Sequence, residues 1–187
     1  MKIGITARFE VSSRGDLFFV FEKTLLHAIR DYLPNAAISL LTPENKLRVK
    51  DLDLIIFPGG STPGMDSSRD EFEQLIYNEG SESIVPMLGI CRGAQLFAFY
   101  SGARLELVKN HVDSVRQTKG YIPLGTCYHN WGIPQLPPQW NVLSRDSEDE
   151  SIELFRHHEL PIVGVLAHPE RSSLSRSYFK QLLNLIQ

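Results

Sequence analysis

The chain opens on a short apolar run, Ile3 to Ala7, with the length of a buried strand, and Arg8 to Asp16 follows as a polar loop. Leu17, Phe18, Phe21, Leu25, Ile29 and Leu33 then recur at the spacing of one helix face, which predicts a helix ended by Pro34-Asn35. Strands are expected at Ala37 to Leu41 and at Leu52 to Phe57, the second running into the turn Pro58-Gly59-Gly60. A helix carrying Phe72, Leu75 and Ile76 on one face comes next, and the apolar run Ile84 to Leu88 reads as another strand. Gly89 and Gly93 bracket a sharp turn with Cys91 at its apex, and Ala94 to Tyr100 returns to helical character.

This alternation of strand and helix predicts an α/β fold whose parallel sheet is covered on both faces. Ligand sites in such sheets lie beyond the carboxyl ends of the strands, so Gly59-Gly60 and Cys91 are expected to meet in space.

After Tyr100 the pattern changes. Arg104 to Val108 and Val112 to Arg116 suit short strands, while Gly120 to Trp140 is rich in Gly, Pro and aromatics and reads as strands and long loops covering the site. Asn141 to Arg145 and Ser151 to Arg156 form a predicted hairpin around Asp146 to Glu150, an acidic tip that lacks the ligand pattern of a calcium loop and reads as solvated. Pro161 to Ala167 is a strand delivering His168. Ser172 or Ser173 caps a last helix with Leu174, Tyr178, Leu182 and Ile186 on its inner face.

Composition narrows the class. The 187 residues, 42% of them hydrophobic and 22% charged, suffice for one substantial core, so residues 1–187 read as a single domain without repeat or linker. A net charge of −3 offers no footprint for nucleic acid or an anionic membrane. The opening apolar run is too short for a signal peptide, and no stretch approaches the roughly 20 apolar residues of a membrane span. With two cysteines, Cys91 and Cys127, a disulfide framework is not expected, and a reducing, cytoplasmic setting leaves a thiol for chemistry.

Cys91 between two glycines is a cysteine version of the strand–turn–helix nucleophile elbow, which thrusts one side chain above the sheet at the positive end of a helix dipole. The bland reading of such a residue is a small buried hydrophobe. His168, followed two residues later by Glu170, can serve as base and orienter, since alternate positions of an extended chain face one side. Its bland reading is a surface or capping histidine, which only the combination with the elbow displaces. His111 and the pair His157-His158 show no metal spacing with a third ligand, so no metal or other cofactor is expected. Cys127 reads as structural.

Gly89-Ile90-Cys91-Arg92-Gly93-Ala94-Gln95 and His168-Pro169-Glu170, with Pro58-Gly59-Gly60 and Arg69-Asp70-Glu71-Phe72-Glu73 ahead of the elbow, resemble the class I glutamine amidotransferase-like superfamily, and within it the free-standing gamma-glutamyl hydrolases. The resemblance covers nearly the whole chain. It implies a flavodoxin-like three-layer sandwich with a mostly parallel central sheet and a small antiparallel strand and loop region. It implies Cys91, His168 and Glu170 as the catalytic triad, with backbone N–H groups of Gly60 and Arg92 forming the oxyanion hole. Gly59, Gln95, Tyr128, His129 and Asn130 would contact a small-molecule gamma-glutamyl substrate. For Gln95 the residues equally allow an ordinary helix-face polar group, and for His129 a buried turn histidine.

Three functions fit: a gamma-glutamyl amide hydrolase, a glutaminase subunit that passes ammonia to a synthetase, and an inactive binding module. Arg92 favours the first, because amidotransferase subunits usually resemble Gly-Ile-Cys-Leu-Gly, and the complete catalytic set disfavours the third. The segments Tyr128 to Asn130 and Glu150 to Phe155 look most like hydrolases of a gamma-glutamyl nucleotide amidate (CDP-amidate) in capsule phosphoramidate biosynthesis. Ala167, where an aromatic is common before the histidine, and the short chain depart from the family pattern at the leaving-group side. The sequence assigns no oligomeric state.

Overall fold

The computed structural model describes residues 1–45, 47–121, 124–172 and 175–186. Strand β1 (Lys2–Thr6) leads to a hairpin of β2 (Arg8–Val11) and β3 (Leu17–Val20), then to helix α1 (Lys23–Tyr32) and strands β4 (Ala37–Leu41) and β5 (Leu54–Phe57). Helix α2 (Ser67–Glu82), strand β6 (Met87–Ile90) and helix α3 (Arg92–Tyr100) complete the first half. The second half holds β7 (Glu106–Leu107), β8 (Val112–Gly120), β9 (Leu124–Tyr128), β10 (Trp131–Gly132), β11 (Trp140–Asp146), β12 (Ile152–His157), β13 (Ile162–Val165) and helix α4 (Ser175–Ile186).

Nine strands form one sheet in the order β4-β1-β5-β6-β13-β12-β11-β8-β9. From β4 to β13 every pairing is parallel, and from β13 to β9 every pairing is antiparallel. The parallel part is legible in the sequence as alternating elements; the antiparallel part continues the same sheet. Side chains alternate across it. Ile3, Ile5, Leu54, Ile56, Leu88, Ile90, Val163 and Val165 pack under α1 and α4, whereas Ile55, Phe57, Met87 and Ile162 meet α2 and α3 on the other face. Each such fully buried Ile, Leu or Phe contributes roughly 1.5–3 kcal/mol of transfer free energy, so the three layers hold each other.

The helix predicted to begin at Leu17 begins at Lys23. Leu17 to Val20 instead pair with Arg8 to Val11 as a hairpin, and Leu17 and Phe18 are exposed. Ser12 closes the hairpin turn, its Oγ accepting from the backbone N–H groups of Arg14 and Asp16. A run of Leu, Phe, Phe and Val carries strand propensity that outweighs a loose helical spacing once a turn and a partner strand are available. The hairpin of β11 and β12 falls where the sequence places it. Its acidic tip is not wholly solvated, because Asp146 is buried against the Arg116 guanidinium at 2.8 Å through both oxygens. The expected cap Ser173 and the inner-face Leu174 lie outside the described residues; Tyr178, Leu182 and Ile186 are buried as the periodicity requires. No helix among the described residues is long and apolar enough to cross a membrane.

Candidate active site

Strand β6 ends at Ile90, and Cys91 turns the chain into α3 with φ 50° and ψ −102°, a conformation that costs an ordinary residue on the order of 1–3 kcal/mol. The turn is held from both sides: Cys91 N–H donates to Val165 O at 2.7 Å, and Cys91 O accepts from Gln95 N–H at 3.0 Å. Gly93 is required here, since a Cβ at that position would stand 2.2 Å from Phe57 O.

Residue 168 follows the end of β13, the strand beside β6, which brings the histidine to the elbow. The Cys91 side chain is among the groups that act on its ring. Nδ1 lies 2.6 Å from Glu170 Oε1, and both residues are buried. The carboxylate fixes Nδ1 as the protonated nitrogen and leaves Nε2 to face the sulfur. The route to this geometry differs from an extended strand: Pro169 to Arg171 form a single 3₁₀ turn, which folds Glu170 back onto the ring. Burial pushes the imidazole down, but its interactions with the Cys91 and Glu170 side chains outweigh that and raise it to about 9.

Gly59 and Gly60 follow β5 and pass beside the histidine. A Cβ on Gly59 would lie 2.8 Å from His168 Cε1 and 3.8 Å from Cys91 Cβ, so only glycine lets the loop reach the thiol. Beneath this loop sits an ionic network. Glu73, fully buried on α2, accepts from Thr6 Oγ1 at 2.6 Å and from Arg69 Nε and Nη2 at 3.1 Å, and Arg92 Nη1 donates to its other oxygen. Arg92 Nη2 also pairs with Asp70. Arg69 Nη2 reaches the carbonyls of Pro58 and Gly59 at 3.4 Å. Two guanidiniums and two carboxylates thus tie the Gly59-Gly60 loop to the first turn of α3. The Arg92 side chain is buried, so it fastens the elbow and does not reach the cleft, while its backbone N–H opens α3, where amides lack intrahelical acceptors.

The remaining expected contact residues fall into two groups. Tyr128, at the end of β9, stacks edge-on against His168 with ring centroids 5.5 Å apart, and the Arg171 guanidinium lies 4.4 Å from the centre of its ring. Asn130 is exposed in the loop that follows. Gln95 and His129 are both buried and both bond the carbonyl of Trp131, through Gln95 Nε2 at 2.7 Å and His129 Nδ1 at 3.0 Å. They anchor the loop from below.

Read as sequence, Arg69 to Glu73 stands out only as a motif, and its role in the clamp is missed. The signal is present in an Arg and a Glu at i and i+4, on a helix leading to an elbow that carries a further Arg.

The family profile for "Glutamine amidotransferase class-I" matches residues 16–183. The chain belongs to the class I glutamine amidotransferase family. It is 32% identical over 140 residues to the glutamine-hydrolyzing GMP synthase subunit of Pyrococcus abyssi, an alignment that spans 69% of this chain and 72% of that protein. It is 31% identical over 111 residues to the gamma-glutamyl-CDP-amidate hydrolase of Campylobacter jejuni, spanning 58% of this chain and 54% of that protein. The fold matches a glutamine amidotransferase structure from Thermotoga maritima with a TM-score of 0.68 at 16% identity, over 100% of this chain and 90% of that one. A Thermoplasma acidophilum structure described as a GMP synthase subunit matches with a TM-score of 0.74 at 19% identity, over 100% of this chain and 94% of that one.

Proposed function

We propose that this family member is a gamma-glutamyl amide hydrolase working through Cys91, His168 and Glu170, and that its substrate is a gamma-glutamyl nucleotide amidate of the CDP-amidate type used in capsule phosphoramidate assembly. The observation that carries the chemistry is the convergence of Cys91, His168 and Glu170 at the end of a parallel sheet, with His168 Nδ1 on Glu170 Oε1 and the Gly59 loop against both the ring and Cys91. Cys91 Sγ attacks the gamma-carbonyl carbon with its proton held on His168. The carbonyl oxygen becomes an oxyanion that accepts from the backbone N–H groups of Gly60 and Arg92. His168 then protonates the departing nitrogen, the C–N bond breaks, and a glutamyl thioester remains. Water attacks that thioester with His168 as base, and the C–S bond breaks to release glutamate and restore the thiol. Glu170 orients the ring and stabilises its charged form throughout.

Similarity to the Campylobacter hydrolase, and an arginine after Cys91 where amidotransferase subunits usually resemble Gly-Ile-Cys-Leu-Gly, support a free-standing hydrolase. The rival reading is a glutaminase subunit, and similarity to the Pyrococcus GMP synthase subunit over a longer alignment favours it. An assay of the isolated chain separates the two. We expect glutamate release from gamma-glutamyl conjugates without any partner protein, and none from the Cys91→Ala variant. Turnover of glutamine alone, stimulated by an added synthetase, would establish the rival. Glutamate release by Cys91→Ala at the wild-type rate would remove Cys91 as nucleophile.

A further inference from the structure

Beside the triad, on the antiparallel side of the sheet, lies a second polar cluster that the hydrolytic chemistry does not use. His111 precedes β8, Cys127 is on β9, His129 follows it, and Glu153 is on β12; all four are at least nine-tenths buried. Their ligand-type atoms lie within 4.8 Å of one another. His111 Nδ1, His129 Nε2 and Glu153 Oε1 make no hydrogen bond to any described group.

The outer hydrogen bonds explain the orientation of these atoms. His111 Nε2 lies 2.9 Å from Asp149 Oδ2, and His129 Nδ1 lies 3.0 Å from the Trp131 carbonyl. Each of those ring nitrogens faces an acceptor and so carries the proton of a neutral ring, which would present His111 Nδ1 and His129 Nε2 as lone pairs. Both lie near the same carboxylate oxygen, Glu153 Oε1, at 3.5 and 3.8 Å. Three buried acceptors facing one another repel unless a donor or a cation stands between them. A single proton on Glu153 can satisfy only one of the two imidazoles. Arg116 does not fill the gap, because its guanidinium is committed to Asp146 and Glu148.

We propose that His111, Cys127, His129 and Glu153 form a closed structural site for one zinc ion. Ligand atoms around a tetrahedral zinc stand about 3.3–3.8 Å apart given the usual bond lengths, close to the separations already present. Two nitrogens, a sulfur and a carboxylate oxygen are a zinc donor set, with Cys127 Sγ 3.9 Å from Glu153 Oε2. Asp149 and the Trp131 carbonyl occupy the outer positions from which such histidines are oriented. The ion ties together β9, β12 and the segment entering β8, next to Tyr128, and so steadies the loop that packs on His168. Cys127 and His129 are two residues apart at the end of β9, but His111 and Glu153 come from other elements, which is why sequence spacing conceals the set.

The test uses the full chain as Cys91→Ser, so that the catalytic thiol and its histidine cannot themselves capture the metal. Zinc is titrated into chelator-treated protein against a chromophoric competitor, and cobalt(II) is added in parallel. We expect one equivalent bound with submicromolar affinity, a higher thermal midpoint with zinc than without, and tetrahedral cobalt absorption with a sulfur charge-transfer band that Cys127→Ser abolishes. His111→Gln should remove binding. Asp149→Asn, a change at a partly exposed side chain, should weaken it by about 10–100-fold with the fold intact by circular dichroism. No zinc binding by the Cys91→Ser protein, or binding untouched by both His111→Gln and Asp149→Asn, would overturn the proposal. Neither result bears on hydrolysis by the wild-type thiol.

Discussion

At the scale of residues, the thiol, imidazole and carboxylate have unequal work, and their substitutions should rank accordingly. In the proposed mechanism His168 moves a proton in both half-reactions, whereas Glu170 only orients it. His168→Ala should therefore cost more in kcat than Glu170→Gln, and the reverse order in steady-state kinetics would contradict these roles. The raised imidazole also sets a stability profile. A histidine at about 9 in the fold and near 6.5 unfolded contributes stability that is fully present below about pH 6.5 and is lost as pH rises through 9. Thermal midpoints of wild type and His168→Gln, measured from pH 6 to 9.5, should differ most at the acid end and converge at the alkaline end. A gap that widened with pH would show that Cys91 and Glu170 do not favour the charged ring.

At the scale of elements, the ion network joins α2 to the elbow and converts sequence neighbours into a fixed loop. Glu73 sits between two buried guanidiniums, so Glu73→Ala leaves both without their main partner and should cost about 3–5 kcal/mol in urea denaturation. A loss under about 1 kcal/mol would mean that the pairs are replaceable by water. The elements themselves are legible in the sequence to uneven degrees, for physical reasons. The run Leu54 to Phe57 is buried on both faces and bounded by turns, which makes it readable, whereas the strand read at Ile84 to Leu88 runs from Met87 to Ile90, with Ile84 exposed in the turn before it and Gly89 inside the strand. Leu17 to Val20 fit two periods, and only the partner strand decides between them. The elbow is readable because its glycines, cysteine and flanking runs are contiguous. The roles of Arg69, Glu73 and the His111 cluster are not, because each depends on which elements the sheet order places side by side.

At the scale of the whole molecule, the parallel half of the sheet delivers the thiol and histidine, and the antiparallel half delivers the loop from Tyr128 to Asn130 that approaches them. If the acyl group is gamma-glutamyl, the site must pair an alpha-carboxylate and an alpha-ammonium, since leaving either desolvated is costly. The polar groups available near Cys91 are the Gly59-Gly60 turn and this loop, with Gln95 and His129 fixing the loop through the Trp131 carbonyl. Recognition then falls on the acyl side, and the amine or amidate portion meets surface loops that tolerate change. The isolated chain should therefore cleave gamma-glutamyl anilide far faster than the alpha-linked isomer. Gln95→Ala, which frees the loop from α3, should narrow that ratio by raising KM for the gamma substrate more than it lowers kcat. Equal kcat/KM for the two anilides in the wild-type chain would show that no glutamyl pocket is formed by the Gly59-Gly60 turn and the Tyr128 loop.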